Sequence, residues 1–159
     1  MKNLSLKFYY SKYLVADIEK MIDNCPDINN FVFSFYSGKP SGYMQLIVYG
    51  RMGTATSRNH YSSFTETLKP FRGQALEIKG PVILSNNYIT IEAMKLLIAA
   101  AENDESKKPD YLVFTPAVDA TDHLYYSVTA YISTEEGDKA TEADEHIITN
   151  PSPPATMPL

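Results

Sequence analysis

Apolar and polar positions alternate from Leu4 to Tyr10, with Leu4, Leu6, Phe8 and Tyr10 on one side and Ser5, Lys7 and Tyr9 on the other. That period of two predicts a half-buried strand. Ser11 follows as a candidate helix cap. Leu14, Ile18, Met21, Ile22 and Cys25 then recur at helical spacing, with Asp17, Glu19, Lys20 and Asp23 opposite, and Pro26 closes the helix. Phe31, Phe33 and Phe35 alternate with Val32, Ser34 and Tyr36; the turn-forming stretch SGKPSG separates them from a further strand over Tyr43 to Arg51. Residues 30–51 therefore read as a hairpin.

The pattern then repeats. Gln74 to Lys79 and Val82 to Leu84 are strand-like, interrupted by Gly80–Pro81, which marks a bulge or an edge. Asn86–Asn87 reads as a turn. Thr90 is a candidate N-cap with Glu92 in the first turn, and Ile91 to Ala101 is a helix apolar around most of its circumference, expected to be the more buried of the two. Tyr111 to Thr115 and Leu124 to Ser133 follow as strands around a turn at residues 118–122.

The order strand–helix–strand–strand thus occurs twice. YLVADIEKMI (13–22) aligns with YITIEAMKLL (88–97), and residues 31–49 align with 111–129. These segments predict an α+β fold built from two βαββ units: one antiparallel sheet carrying both helices on one face. The single domain spans 1–133, with halves 4–51 and 74–133 and a connector at 52–73. The element order is similar to the duplicated strand–helix–strand–strand modules of bacterial effector-binding domains. That likeness of architecture implies a small-molecule site in the groove between halves.

Composition changes the picture mainly at the C-terminus. The chain has 159 residues, 44% hydrophobic and 21% charged, as expected of an ordinary globular domain. From Ser133 onward there are six acids against Lys139 alone, so the preceding 13 acids and 13 bases balance. A neutral body argues against nucleic-acid binding, which needs a clustered basic surface. No apolar run approaches the roughly 18 residues that would span a membrane, and the N-terminus has no continuous apolar stretch typical of a signal peptide. A cytoplasmic location is the expectation. Residues 134–159 form an acidic, then Pro-rich tail of a composition that favours disorder or polyproline II. If it is held, His146–Ile147–Ile148 is the expected anchor, on the domain's own edge or on a second subunit.

Candidate chemistry is sparse. Cys25 is the only cysteine and reads as a packing residue. His60, His123 and His146 lack metal-ligand spacing, no nucleophile elbow is present, and no cofactor motif is found. Residues 50–73 contain Arg51, Arg58, His60, Lys69 and Arg72 against Glu66. With Tyr61 they offer guanidinium forks, hydroxyls and backbone amides to an anion. The alternative is a solvated connector, although about twenty residues is long for one.

The other distinctive feature is 12 Tyr with no Trp. Alternation groups Tyr9 with Ser5 and Lys7, Tyr36 with Val32 and Ser34, Tyr43 and Tyr49 with Gln45 and Ile47, and Tyr125 and Tyr131 with Ser127 and Thr129. A sheet face rich in Tyr, Ser and Thr, poor in charge, suits recognition or self-association, or else cross-strand pairing of an exposed sheet. The residues favour a non-catalytic binding module over two alternatives. These are an assembly subunit with a docking tail, and an enzyme acting on an anionic substrate through Arg58, His60 and Tyr61.

Overall fold

The computed structural model describes residues 5–24, 28–37, 43–52, 60–61, 75–84, 87–100, 104–141, 147–148 and 150–151. Cys25, Arg58, His146, most of the connector and the end of the tail lie outside these residues. The chain enters as β1 (Ser5–Tyr9), crosses at Tyr10 and continues as β2 (Ser11–Leu14). These two strands belong to different sheets.

After β2 come α1 (Val15–Asn24), β3 (Asn30–Ser37), β4 (Tyr43–Met52), β5 (His60–Tyr61) and β6 (Ala75–Lys79). The chain then forms β7 (Asn87–Thr90), α2 (Ile91–Ile98), a 3-10 turn at Glu105–Lys107, β8 (Tyr111–Val118), β9 (Leu124–Thr134) and β10 (Gly137–Ala140). Two short pairings close it, β11 (Ile147–Ile148) and β12 (Asn150–Pro151). Sheet one runs β12-β7-β3-β4-β1-β6 with β5 on β4; sheet two runs β10-β9-β8-β2 with β11 also on β9. All strand pairs are antiparallel except β1 with β4.

The α+β class and the mostly antiparallel strands agree with the sequence reading, but there are two sheets rather than one. Nor do the helices share one sheet face: α1 packs on β2 and β8, α2 on β7 and β3. The physical reason is the inner faces of the two hairpins. Phe31, Phe33, Leu46 and Val48 on β3–β4 meet Leu112, Phe114, Tyr126, Val128 and Ala130 on β8–β9, all 7% exposed or less, and the sheets cover one another. Val15, Ile18, Met21, Met94 and Ile98 from the helices complete the same core. At its centre the ring of Phe114 lies 4.6 Å from Phe33, 5.1 Å from Tyr13 in an edge-to-face arrangement, and 6.4 Å from Tyr126.

The strand before each helix crosses to the other hairpin. β2 pairs with β8, placing Tyr13 opposite Leu112 and Ser11 opposite Phe114; β7 pairs with β3, placing Ile89 opposite Phe31 and Asn87 opposite Phe33. The helix entries match as well: Val15 N–H donates to the Asp110 carbonyl at 3.0 Å, and Ile91 N–H to the Asn29 carbonyl at 2.8 Å.

This exchange explains two departures from the sequence expectation. Ser11 does not cap a helix. It is fully buried in β2, because Ser11 and Tyr13 face inward while Lys12 and Leu14 face outward. Asn87, expected in a turn, opens β7 and is also fully buried, its amide donating to the Leu124 carbonyl at 3.3 Å. Thr90 does cap α2, its hydroxyl accepting from Ala93 N–H at 3.2 Å. Yet α2 is not enclosed: Met94 and Ile98 are buried while Leu96 is 74% exposed, since only the stripe facing β3 and β7 is covered. Residues 82–84 form no strand and touch sheet two through a single bridge from Ile83 to His123.

Gly50 shows how tightly one edge of this core is filled. A Cβ there would sit 2.9 Å from Ile28 Cγ2 and 3.2 Å from its Cδ1. Gly50→Ala is expected to destabilise by about 1–2 kcal/mol through overpacking, measured by urea unfolding. A cycle with Ile28→Ala should show the two losses to be less than additive; strict additivity would refute the clash.

Candidate functional site

The outer face of sheet two is assembled by register. One row runs Leu14–Tyr111–Tyr131–Ala140 across β2, β8, β9 and β10; the next holds Lys12, Val113 and Thr129; beyond it lie Thr115 with Ser127, then Ala117 with Tyr125. Tyr111 and Tyr131 stack, centroids 5.4 Å apart and planes 10° from parallel. Lys12 Nζ lies 4.0 Å above the Tyr111 ring, a cation–π contact. The Tyr111 hydroxyl donates to Asp138 Oδ2 at 2.5 Å. Burial, reinforced by this carboxylate, pushes the Tyr111 phenol up to about 12. Leu14 remains 49% exposed beside the stack.

Tyr125 and Tyr131 therefore stand where alternation puts them, with Ser127 and Thr129. Tyr9 does not join them. It lies on the outward row of β1 in sheet one, and position 49 falls in the row of Val32 and Tyr88 in the same sheet. Tyr9 and Tyr88 thus lie on the outer face of sheet one and Tyr125 and Tyr131 on that of sheet two, instead of on one common face. Of the loop residues, Arg51 pairs with Tyr61 and Met52 with His60 along β4–β5, so the backbone brings Arg51, His60 and Tyr61 together. Arg58 lies outside the described residues. Sequence reasoning missed Lys12, Leu14, Tyr111 and Asp138. For Tyr111 a signal existed, because it alternates with Val113 and Thr115; Lys12 and Leu14 were hidden by assigning residues 11–14 to a helix.

A pocket of about 220 Å³ lies at the far end of sheet two, between the 3-10 turn and the β9–β10 hairpin. Ser106, Lys107, Ile132, Thr134, Lys139, Ala140 and Thr141 line it. Ile132 is the first inward position of β9 past Ala130, where the core ends, and its partner across the hairpin is Lys139. The β4–β5 ladder pairs Met52 with His60 in the same relation, an apolar residue against a basic one.

An acid, a hydroxyl and an imidazole also meet in the β8–β9 turn. Asp119 Oδ1 accepts from Thr121 N–H and Oγ1–H, each at 2.8 Å, and from His123 N–H at 3.0 Å, while Thr121 Oγ1 lies 2.8 Å from His123 Nδ1. The Thr121 hydroxyl holds the Asp119 carboxyl below its usual range. Here the acid bonds the turn backbone and the hydroxyl rather than orienting the imidazole, and Asp122 takes a left-handed φ of 63°. That is turn-closing chemistry, not a relay.

Among the described residues no helix is long and apolar enough to cross a membrane. No protein-family model matches the chain, and comparison with curated proteins and with solved structures likewise returned no match.

Proposed function

We propose that the chain is a non-catalytic interaction module that self-associates through the outer face of sheet two. The observation that carries this reading is the row Leu14–Tyr111–Tyr131, with Leu14 half-exposed at its edge, Tyr131 partly exposed, and Tyr111 buried between them under Lys12. Tyrosines in such a row give rigid, amphipathic contact area at low entropic cost. A sheet face also suits an isologous contact, in which the same residues meet their own copies.

We further propose that the two βαββ units are an internal duplication whose first strands are exchanged. Support comes from the matching registers of β2 on β8 and β7 on β3, and from the paired helix-entry hydrogen bonds.

Sedimentation of the wild type against Leu14→Asp/Tyr131→Ala tests the first reading. Both positions face outward, so the variant is expected to fold as the wild type does. The wild type should associate at micromolar concentration and the variant at least about tenfold more weakly. A wild type that stays monomeric up to about 1 mM, or a variant of unchanged affinity, would sink it.

A further inference from the structure

We propose that the pocket at the end of sheet two is a binding site for a small monocarboxylate with an apolar body. It opens on the other side of the β9–β10 hairpin from the self-association face: Ile132, Thr134 and Lys139 take inward register positions, whereas Tyr131 and Ala140, which borders the pocket, take outward ones. The site is the stretch of inner face that the two-sheet core leaves uncovered.

Its chemistry selects the ligand. Among the described residues the charged side chains in the lining are Lys107 and Lys139, and none is a carboxylate. Thr141 adds a hydroxyl and Ile132 supplies apolar surface for the ligand's body, while the Ser106 and Thr134 hydroxyls are already bonded to Asp104 and to the Gly137 carbonyl. The volume of about 220 Å³ exceeds the roughly 150 Å³ that accommodates a benzene ring, so a single-ring ligand fits. Lys139 is available: its ion pair with Glu136 is 3.5 Å long, between side chains 64% and 84% exposed, and such a pair is weak. A ligand carboxylate at Lys139 can replace that contact, with Lys107 on the opposite wall.

The walls are fixed before any ligand arrives. Asp104 Oδ1 accepts from Ser106 N–H at 3.0 Å and from its hydroxyl at 2.7 Å, holding the 3-10 turn. The Thr134 hydroxyl donates to the Gly137 carbonyl across the hairpin, and Thr141 N–H donates to the Ala130 carbonyl at 2.9 Å. A prebuilt pocket loses little entropy on binding.

The test is an amide-shift NMR titration of the full chain with benzoate, and with benzyl alcohol as its neutral counterpart. Benzoate is expected to shift the amides of Ser106, Lys107, Ile132 and residues 139–141 with a Kd of about 1 mM or tighter, at least about tenfold below that of benzyl alcohol. Lys107→Gln/Lys139→Gln should weaken benzoate by about tenfold or more and leave benzyl alcohol unchanged. Ile132→Phe should fill the pocket and abolish both. Should that core-edge variant fail to fold, the double Lys variant, altering exposed ends of side chains, still decides. No shifts at these amides, equal affinity for the two compounds, or indifference to the Lys substitutions would each overturn the site.

Discussion

Phe114→Ala is expected to destabilise the protein by about 3–5 kcal/mol. Phe114 is fully buried and its ring meets Phe33 of sheet one, Tyr13 of β2 and Tyr126 of β9. Truncation would remove the aromatic contacts and leave a cavity that fixed strands on both sides cannot close. Since domains of this size are stable by only about 5–15 kcal/mol, a large share of the total would be lost. The result also tests the architecture. If both sheets share one core, β3–β4 and β8–β9 amides must lose exchange protection together. Retained protection in β3–β4 alone would show that the sheets unfold as separate units. Tyr131→Ala on the outer face is the control and should cost less than about 1 kcal/mol.

The same ring contacts explain how much of the fold was legible in the sequence. Alternation identified β1, β3, β4, β6, β8 and β9 because their inward positions are apolar at every second residue, although β3 is buried on both faces at Phe31, Val32 and Phe33. The cap at Thr90 was readable because its partner, Ala93, is local. β2 and β7 were not read. Each is four residues long and runs directly into a helix, so its two inward residues merge with the helical spacing that follows. β2 pairs with residues 111–114 and β7 with residues 30–33, distant in the chain, and no local pattern encodes either pairing. The count of sheets was lost for the same reason. Alternation says that a face is buried, not what buries it. One sheet covered by helices and two sheets covering each other produce the same sequence pattern.

The candidate site divides along the same line. Tyr125 and Tyr131 were legible because both the strand and its outward parity were. Tyr9 has the correct parity but sits in the other sheet, which parity alone cannot reveal. The chemistry around Tyr111 depends on contacts between residues far apart in sequence: Lys12 on its ring, Asp138 on its hydroxyl, Tyr131 against its face. None has a local signature. The pocket was invisible for a related reason, since it is a place where the core stops. Ile132 continues the inward alternation of β9, and only the tertiary structure shows that the opposing sheet no longer covers it.

Tyr111 supplies the second large effect, and its sign follows from which form the fold favours. Burial, aided by the Asp138 carboxylate that accepts its hydrogen bond, raises the phenol from about 10 to about 12, so the folded state prefers the protonated ring. Its contribution is complete below pH 10 and is lost as the pH rises toward 12, because the unfolded chain releases that proton first. Two pH units correspond to about 2–3 kcal/mol. Stability followed by denaturant unfolding should therefore fall through that window in the wild type and fall less in Tyr111→Phe, with the tyrosinate absorbance losing a late-titrating component in the variant. Asp138→Asn should bring this titration earlier but keep it above pH 10, since burial is the larger cause and survives the substitution. An alkaline stability profile identical in wild type and Tyr111→Phe would show that the ring is open to solvent, and the stacked Lys12–Tyr111–Tyr131 arrangement at the centre of the proposed interface would fail with it.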